Sequence, residues 1–214
     1  MSKKGGYPDV NETFIWPSYN GKHLSFIAQI ETKYIFGDDA TGVLLFFWNE
    51  SNWGGSFKDR GSFKVIHQDG TLQRISETPS FECKMLGLFQ KTYRPTVWKE
   101  EALNFRASYS VPPIARLDYD WSNDLGDLYV TEVEKLSGFS RIGGYPNPIQ
   151  EDDMEEGCIK IKEKGTKESW YLPLEIDSQG DMMWGDAGRL YWFLEESDYQ
   201  SRSVSEVWMQ MQCH

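Results

Sequence analysis

The chain has 214 residues, 33 acidic against 22 basic for a net charge of −11, and 15% aromatic residues. Aromatic content that high excludes an intrinsically disordered chain, and the length suffices for a packed core without disulfide or metal staples. The negative balance argues against a nucleic-acid backbone or an anionic membrane surface as partner, because both attract basic footprints.

In chain order, Lys3 and Lys4 are followed by no apolar run, so no secretory signal is expected. Gly5-Gly6-Tyr7-Pro8 reads as a turn, 24–31 as a strand, Gly37-Asp38-Asp39 as a polar turn and 42–50 as a second strand. The longest strongly apolar run, 43–48, has six residues, far short of the about 20 that span a membrane. Its near-unbroken apolar character fits a strand covered on both faces. Residues 63–68 and 71–75 around Asp69-Gly70 predict a β-hairpin, since Asp-Gly suits a type I′ turn. A strand is expected within 83–93, a short helical turn over 99–105, and a break at Pro112-Pro113. The spacing of Leu125, Leu128, Tyr129, Val133 and Leu136 predicts a helix over 122–137, with Ser122 as N-cap and Gly138 just past its end. The tail, 204–212, fits a final strand or a frayed helix.

One layout occurs twice. Gly5-Gly6-Tyr7-Pro8 returns as Gly143-Gly144-Tyr145-Pro146, and Gln29-Ile30-Glu31 aligns with Glu175-Ile176-Asp177. Gly42 follows Gln29 by 13 residues and Gly188 follows Glu175 by 13, opening strands of matching aromatic pattern at 42–50 and 188–196. The expectation is one domain over 1–214, α+β, with β-rich mixed or antiparallel sheets and few helices. It is built from an internal duplication (about 5–50 and 143–196) about a pseudo-twofold axis, with a hairpin and a helix in the middle segment, 51–142.

The chemistry-bearing residues admit two readings each. Gln29 and Glu175, with Glu31 and Asp177 on the same strand faces, are either a polar solvent face or acids paired across the axis. Trp184-Gly185-Asp186-Ala187-Gly188 is either a tight turn or a groove lining with Asp186 as acceptor and Trp184 as platform. Trp16, Trp48 and Gln150 complete the candidate binding set; Gln150 could equally bond backbone after its turn. Glu151, Asp152, Asp153, Glu155 and Glu156 form an acidic run, read as a solvated loop or as a surface for a basic partner. It lacks the calcium-loop pattern. Cys83, Cys158 and Cys213 are scattered, without ligand spacing, and read as inert thiols in a cytoplasmic protein. His23, His67 and His214 read as structural or solvated. No nucleophile elbow, phosphate loop or zinc-protease motif is present, so neither catalytic residues, nor a metal, nor a cofactor is expected.

The stretches Gly5-Gly6-Tyr7-Pro8, Trp16-Pro17, 24–30 and 42–47 resemble the first half of the YwqG-like family. Residues 142–150, Met183-Trp184-Gly185-Asp186-Ala187-Gly188 and Gln212-Cys213 resemble its second half. The resemblance implies a soluble bacterial protein with an internally duplicated α+β fold. It supplies no reaction, cofactor or catalytic residue. Relatives near polymorphic toxin systems imply an immunity-like role. Taken together, the expectation is an acidic binding protein, a monomer or weak dimer, engaging a basic protein partner and neither nucleic acid nor membrane. The alternative is a small-molecule or glycan binder, or a hydrolase, with a cleft between the two repeats. Residues 151–200 hold 14 acids and 5 bases, which points to the second repeat as the partner surface.

Overall fold

Apolar residues at nearly every position of 25–30 and 43–48 can be hidden only in the middle of a sheet covered on both sides, and that is where they lie. The computed structural model describes residues 1–54, 56–85, 89–113, 116–117, 125–134, 140–150 and 154–214. The fold is α+β, with several antiparallel sheets and few helices. The chain divides into two compact units, Met1–Asn52 with Lys58–Phe105, and Trp53–Phe57 with Arg106–His214.

Unit 1 contains β1 (Lys3–Lys4), β2 (Asp9–Val10), β3 (Ser18–Tyr19), β4 (Lys22–His23), β5 (Ser25–Glu31), α1 (Lys33–Phe36) and β6 (Val43–Trp48). It continues with β7 (Phe63–Gln68), β8 (Gln73–Arg74), β9 (Phe81–Met85), β10 (Phe89–Tyr93) and β11 (Glu101–Ala102). Its main sheet has the order β11-β1-β5-β6-β7. Leu24, Phe26, Val43, Leu45 and Phe47 form a buried cluster, against which Val10, Phe14, Trp16, Ile66 and Leu72 pack. Burying a side chain of this size stabilises by about 1.5–3 kcal/mol.

Unit 2 contains α2 (Leu125–Glu134), α3 (Met154–Lys162), β12 (Trp170–Asp177), β13 (Arg189–Glu195), α4 (Glu196–Gln200) and β14 (Trp208–Gln212). Its sheet has the order β12-β13-β14, and Arg141 bridges the outer edge of β12 at Glu175. Leu190, Trp192 and Leu194 are buried together with Tyr191 and Phe193, so β13, like β6, is covered on both faces.

The same pairing pattern recurs in each unit. Gln29 faces Leu45 and Glu31 faces Val43; Glu175 faces Tyr191 and Asp177 faces Arg189. Both strand pairs shift register, between Phe26 and Ala28 and between Tyr171 and Leu174. Lys3 faces Gln29 as Arg141 faces Glu175. The Thr32 N–H donates to Gly42 O at 3.1 Å, and the Ser178 N–H to Gly188 O at 3.1 Å. Gln68 Oε1 accepts from Asn11 N at 2.9 Å, and Gln212 Oε1 from Ile149 N at 2.7 Å.

The paired glycines open the inner strands because nothing larger fits. A Cβ on Gly42 would stand 2.3 Å from Gln68 O, and one on Gly188 2.2 Å from Gln212 O. Gly42 also has φ +88°, which L side chains rarely adopt. Gly42→Ala should therefore cost more than about 2 kcal/mol in urea unfolding. Gly70→Ala, at φ +80° with open space around it, should cost only about 1 kcal/mol.

Several local expectations are corrected. The hairpin over 63–75 does not form: β7 pairs with β6, and β8 pairs with β2. Arg74 Nε donates to Asp9 Oδ1 at 3.0 Å and the Ile75 N–H to Pro8 O at 3.2 Å, so β8 is held by the N-terminal strand instead. Residues within 99–105 are not helical; β11 pairs with β1, and the Leu103 N–H donates to Ser2 O at 3.1 Å. The 83–93 strand is one arm and part of the other of a true hairpin, β9–β10. The helix expected over 122–137 is described over Leu125–Glu134, and Leu128 on its expected apolar face is 55% exposed. Ser122, Leu136 and Gly138 lie outside the described residues. The tail forms β14 over Trp208–Gln212.

Candidate functional site

In unit 1 the pairing of β2 with β8 places two polar segments side by side. Residues within 10–13 and 69–75 enclose a cleft of about 750 Å³. Asn11 organises one wall. Its Oδ1 accepts from Thr13 N at 3.0 Å and from Thr13 Oγ1 at 2.8 Å, and its Nδ2 donates to Asp69 O at 3.2 Å. Asp69 is oriented by Gly70 N–H, which donates to Oδ1 at 2.6 Å, and by Thr41 Oγ1, which donates to Oδ2 at 3.2 Å. Glu12 stands exposed at the rim.

Arg74 lines the same cleft, yet its charge is already answered. Its Nε bonds Asp9 at 3.0 Å and its Nη1 bonds Glu100 at 2.9 Å. Behind it lies Lys3, fully buried, with Nζ 3.1 Å from Asp9 and 3.5 Å from Glu100. Two cations and two carboxylates thus cancel, and Gln29 closes the group: its Nε2 donates to Asp9 Oδ2 at 2.8 Å. Burial works to raise the Asp9 carboxyl, but hydrogen bonds from Gln29, Arg74 and Lys3 outweigh it and hold it below the ordinary carboxylate range. What remains to give the cleft its net charge is Glu12 and Asp69.

In unit 2 the equivalent place is a buried carboxyl. Glu175 is 0% exposed. Its Oε2 accepts from Asn147 N at 3.0 Å and lies 3.6 Å from Arg141 Nε; Arg189 Nε stands 4.0 Å from Oε1. Arg189 Nη1 and Tyr191 Oη both donate to Asn147 O at 2.7 Å. Burial pushes the Glu175 carboxyl up to about 7 against the pull of Arg141 and the Asn147 N–H. The Tyr191 phenol is raised as well, by burial first and then by the Glu175 charge.

The expected site residues scatter between cores and turns. Gln29 is buried in the unit 1 sheet and Glu175 in the unit 2 sheet, so neither presents a solvent face. Trp16 packs edge-on to Phe47 with ring centroids 5.4 Å apart, and its indole N–H donates to Leu24 O at 2.8 Å. Trp48 is buried and donates to Asn52 O at 2.6 Å. Trp184 is buried, while Asp186 is exposed on the turn closed by Gly188 N–H donating to Trp184 O at 2.8 Å. Gln150 is exposed, and its N–H donates to Gln212 Oε1 at 3.1 Å.

The acidic run is not one solvated loop. Residues 151–153 (Glu151, Asp152, Asp153) lie outside the described residues, and the rest opens α3. Glu155 is 2% exposed and pairs with Arg116 Nη2 at 2.9 Å, while Glu156 is exposed and pairs with Lys160 at 3.7 Å. The helical period turns these neighbours to opposite environments. On the same helix Cys158 is buried; burial raises its thiol, so it is inert. Cys213 is also buried and free.

Sequence reasoning missed Lys3, Asp9, Arg74, Asn147 and Arg141. Two of these pairs could have been found by extending the repeat by two residues before Gly-Gly and one after Tyr-Pro. That places Lys3 on Arg141 and Asp9 on Asn147. Arg74 had no such signal, because it reaches Asp9 across 65 residues of chain.

Among the described residues no group of three or more His, Cys, Asp or Glu side chains could hold a metal ion. No helix among them is long and apolar enough to cross a membrane. No curated protein matches the chain. A family model described as a domain of unknown function, DUF1963, matches residues 2–213, and the chain belongs to that family.

Proposed function

We propose that this DUF1963 protein is a binding module that takes a cationic group of a protein partner in the cleft of unit 1. The observation that carries the reading is the prebuilt acidic lining. Asn11, itself held by Thr13, bonds the Asp69 backbone carbonyl and Thr41 bonds its carboxylate, Glu12 stands at the rim, and the positive charge of Arg74 is spent on Asp9 and Glu100. A volume of about 750 Å³ lies within the range of ligand pockets, roughly 300–1,000 Å³. This moves the reading from the acidic run to unit 1. An immunity-like role toward a basic toxin is its finer form, as YwqG-like is the finer family placement. Three widely spaced cysteines support work in a reducing cytoplasm.

The test is calorimetric titration with a decalysine peptide at low and moderate salt. Glu12→Gln/Asp69→Asn should weaken binding by at least tenfold. Glu163→Gln/Glu168→Gln, which removes the same charge from exposed positions of unit 2, should change it less than threefold. Equal losses in both doublets, or no binding by the parent protein, would overturn the reading.

A further inference from the structure

Asp69 and Gly70 are the one Asp-Gly pair in the chain, directly after β7, and both are exposed. The Gly70 amide nitrogen lies 2.6 Å from Asp69 Oδ1. The carboxyl carbon is bonded to that oxygen, so a backbone nitrogen is held in near-attack contact with the side chain that precedes it. Nothing crowds the place. A Cβ built on Gly70 meets no heavy atom within 4 Å, so the backbone there has room to close on the side chain.

Two further bonds prepare the same pair of residues. Thr41 Oγ1 donates to Asp69 Oδ2 at 3.2 Å, where negative charge grows when the carboxyl carbon is attacked. Asn11 Nδ2 donates to Asp69 O at 3.2 Å, the carbonyl of the peptide that supplies the nitrogen. Drawing electrons toward that oxygen makes the Gly70 N–H more acidic and the carbonyl carbon more open to water.

We propose that Asp69 is a self-modifying residue, which closes onto Gly70 and isomerises to isoaspartate. The Gly70 nitrogen bonds Asp69 Cγ and the Cγ–Oδ1 bond breaks. Oδ1 leaves as water, taking the proton of the nitrogen and that of the carboxyl, while Thr41 holds Oδ2. A water molecule then adds to the main-chain carbonyl carbon of Asp69, which Asn11 polarises. The bond from that carbon to the Gly70 nitrogen breaks, and the water's second proton passes to the nitrogen. The carbon ends as a carboxyl, the chain runs on through Cγ, and the composition is unchanged.

The product carries an extra methylene in its main chain, and its carboxyl no longer stands where Thr41 meets it. The cleft would then lose the acid that faces a cation, a consequence that rests on the proposed binding function; the isomerisation itself does not. Asn20-Gly21, the one Asn-Gly pair, should respond to folding in the opposite sense. It closes the β3–β4 hairpin with φ +48° and +75°, and the strand pairs on either side fix its backbone.

The experiment follows the whole protein, folded and in urea, over weeks at pH 6. Enzymatic methylation of isoaspartate and peptide mapping locate the product. Isoaspartate at 69 should accumulate at least threefold faster in the folded protein than in urea, whereas deamidation of Asn20 should be slower when folded. Thr41→Val, at an exposed position, should remove the folded-state advantage at 69 and leave the rate in urea unchanged. Thr41→Ser, which keeps the hydroxyl, should retain the advantage. A folded rate at 69 equal to or below that in urea, or a Thr41→Val protein that keeps the advantage, would overturn the proposal. The rates are read without ligand, so failure of decalysine to bind would tell against the cleft alone.

Discussion

Glu175→Gln is expected to leave the protein more stable than its parent at pH 8, by up to about 3 kcal/mol, and little changed at pH 5. A tenfold change in proton affinity is worth about 1.4 kcal/mol, and the carboxyl moves from its ordinary 4.5 to about 7. The folded state holds this proton more tightly than the unfolded chain. The stability linked to Glu175 is therefore fully present below pH 4.5 and is lost as pH rises through 7. Glutamine has no proton to lose, so its curve should be flat where the parent's declines. Gln29, fully buried at the matching register of unit 1, shows that a carboxamide fits such a place. Neither arginine is orphaned by the change. Arg189 keeps Asp177 at 3.1 Å, and Arg141 Nη1 keeps Tyr145 O at 3.3 Å. Urea unfolding at four pH values checks the result; a Glu175→Gln protein weaker than its parent at pH 8 would refute it.

Lys3→Ala should act in the opposite sense and cost about 3–5 kcal/mol at pH 7, the usual consequence of removing one partner of a buried ion pair. Lys3 is fully buried, and its Nζ reaches Asp9 and Glu100 together. Lys3→Met keeps most of the volume without the charge, so a similar loss would assign the effect to electrostatics and a much smaller one to packing. The acid limb should move as well. The Asp9 carboxyl lies below its ordinary 3.8, so its stabilising effect is present above that value and lost as pH falls through its depressed folded value. Without Lys3 the depression shrinks and the loss should begin at higher pH. Thermal denaturation between pH 3 and 6 measures the displacement.

What could be read in advance follows from how far the determining contacts lie along the chain. The strands at 25–31, 43–48, 170–177 and 189–195 advertise themselves by apolar runs, and the alignment of Gln29 with Glu175 meets identical cross-strand registers. The Asp69-Gly70 turn misled because its local chemistry suits a hairpin, while Arg74 gains a carboxylate partner on Asp9 that no local pattern reveals. Residues 99–105 carry no strong strand pattern, and Glu101–Ala102 form a strand by pairing with the distant β1. Glu155 stands in a run of acids that reads as solvated, and its burial is compensated by its distant partner Arg116. Glu175 is marked in the sequence only by its alignment with Gln29, and its surroundings come from Arg141, Asn147 and Arg189, brought in by the turn and the neighbouring strand.

The residues at 53–57 have a consequence for synthesis of the protein. They leave the ribosome before Lys58–Phe105 of unit 1, yet they belong to unit 2. The Met211 N–H donates to Trp53 O at 2.9 Å, and the Trp208 indole N–H donates to Gly54 O at 3.0 Å across 154 residues of chain. Strand β14 thus closes on a segment made 154 residues before Trp208. Unit 2 must wait for β14 to be made before its hydrogen bonds are complete, and chains truncated before β14 should be held by chaperones or degraded.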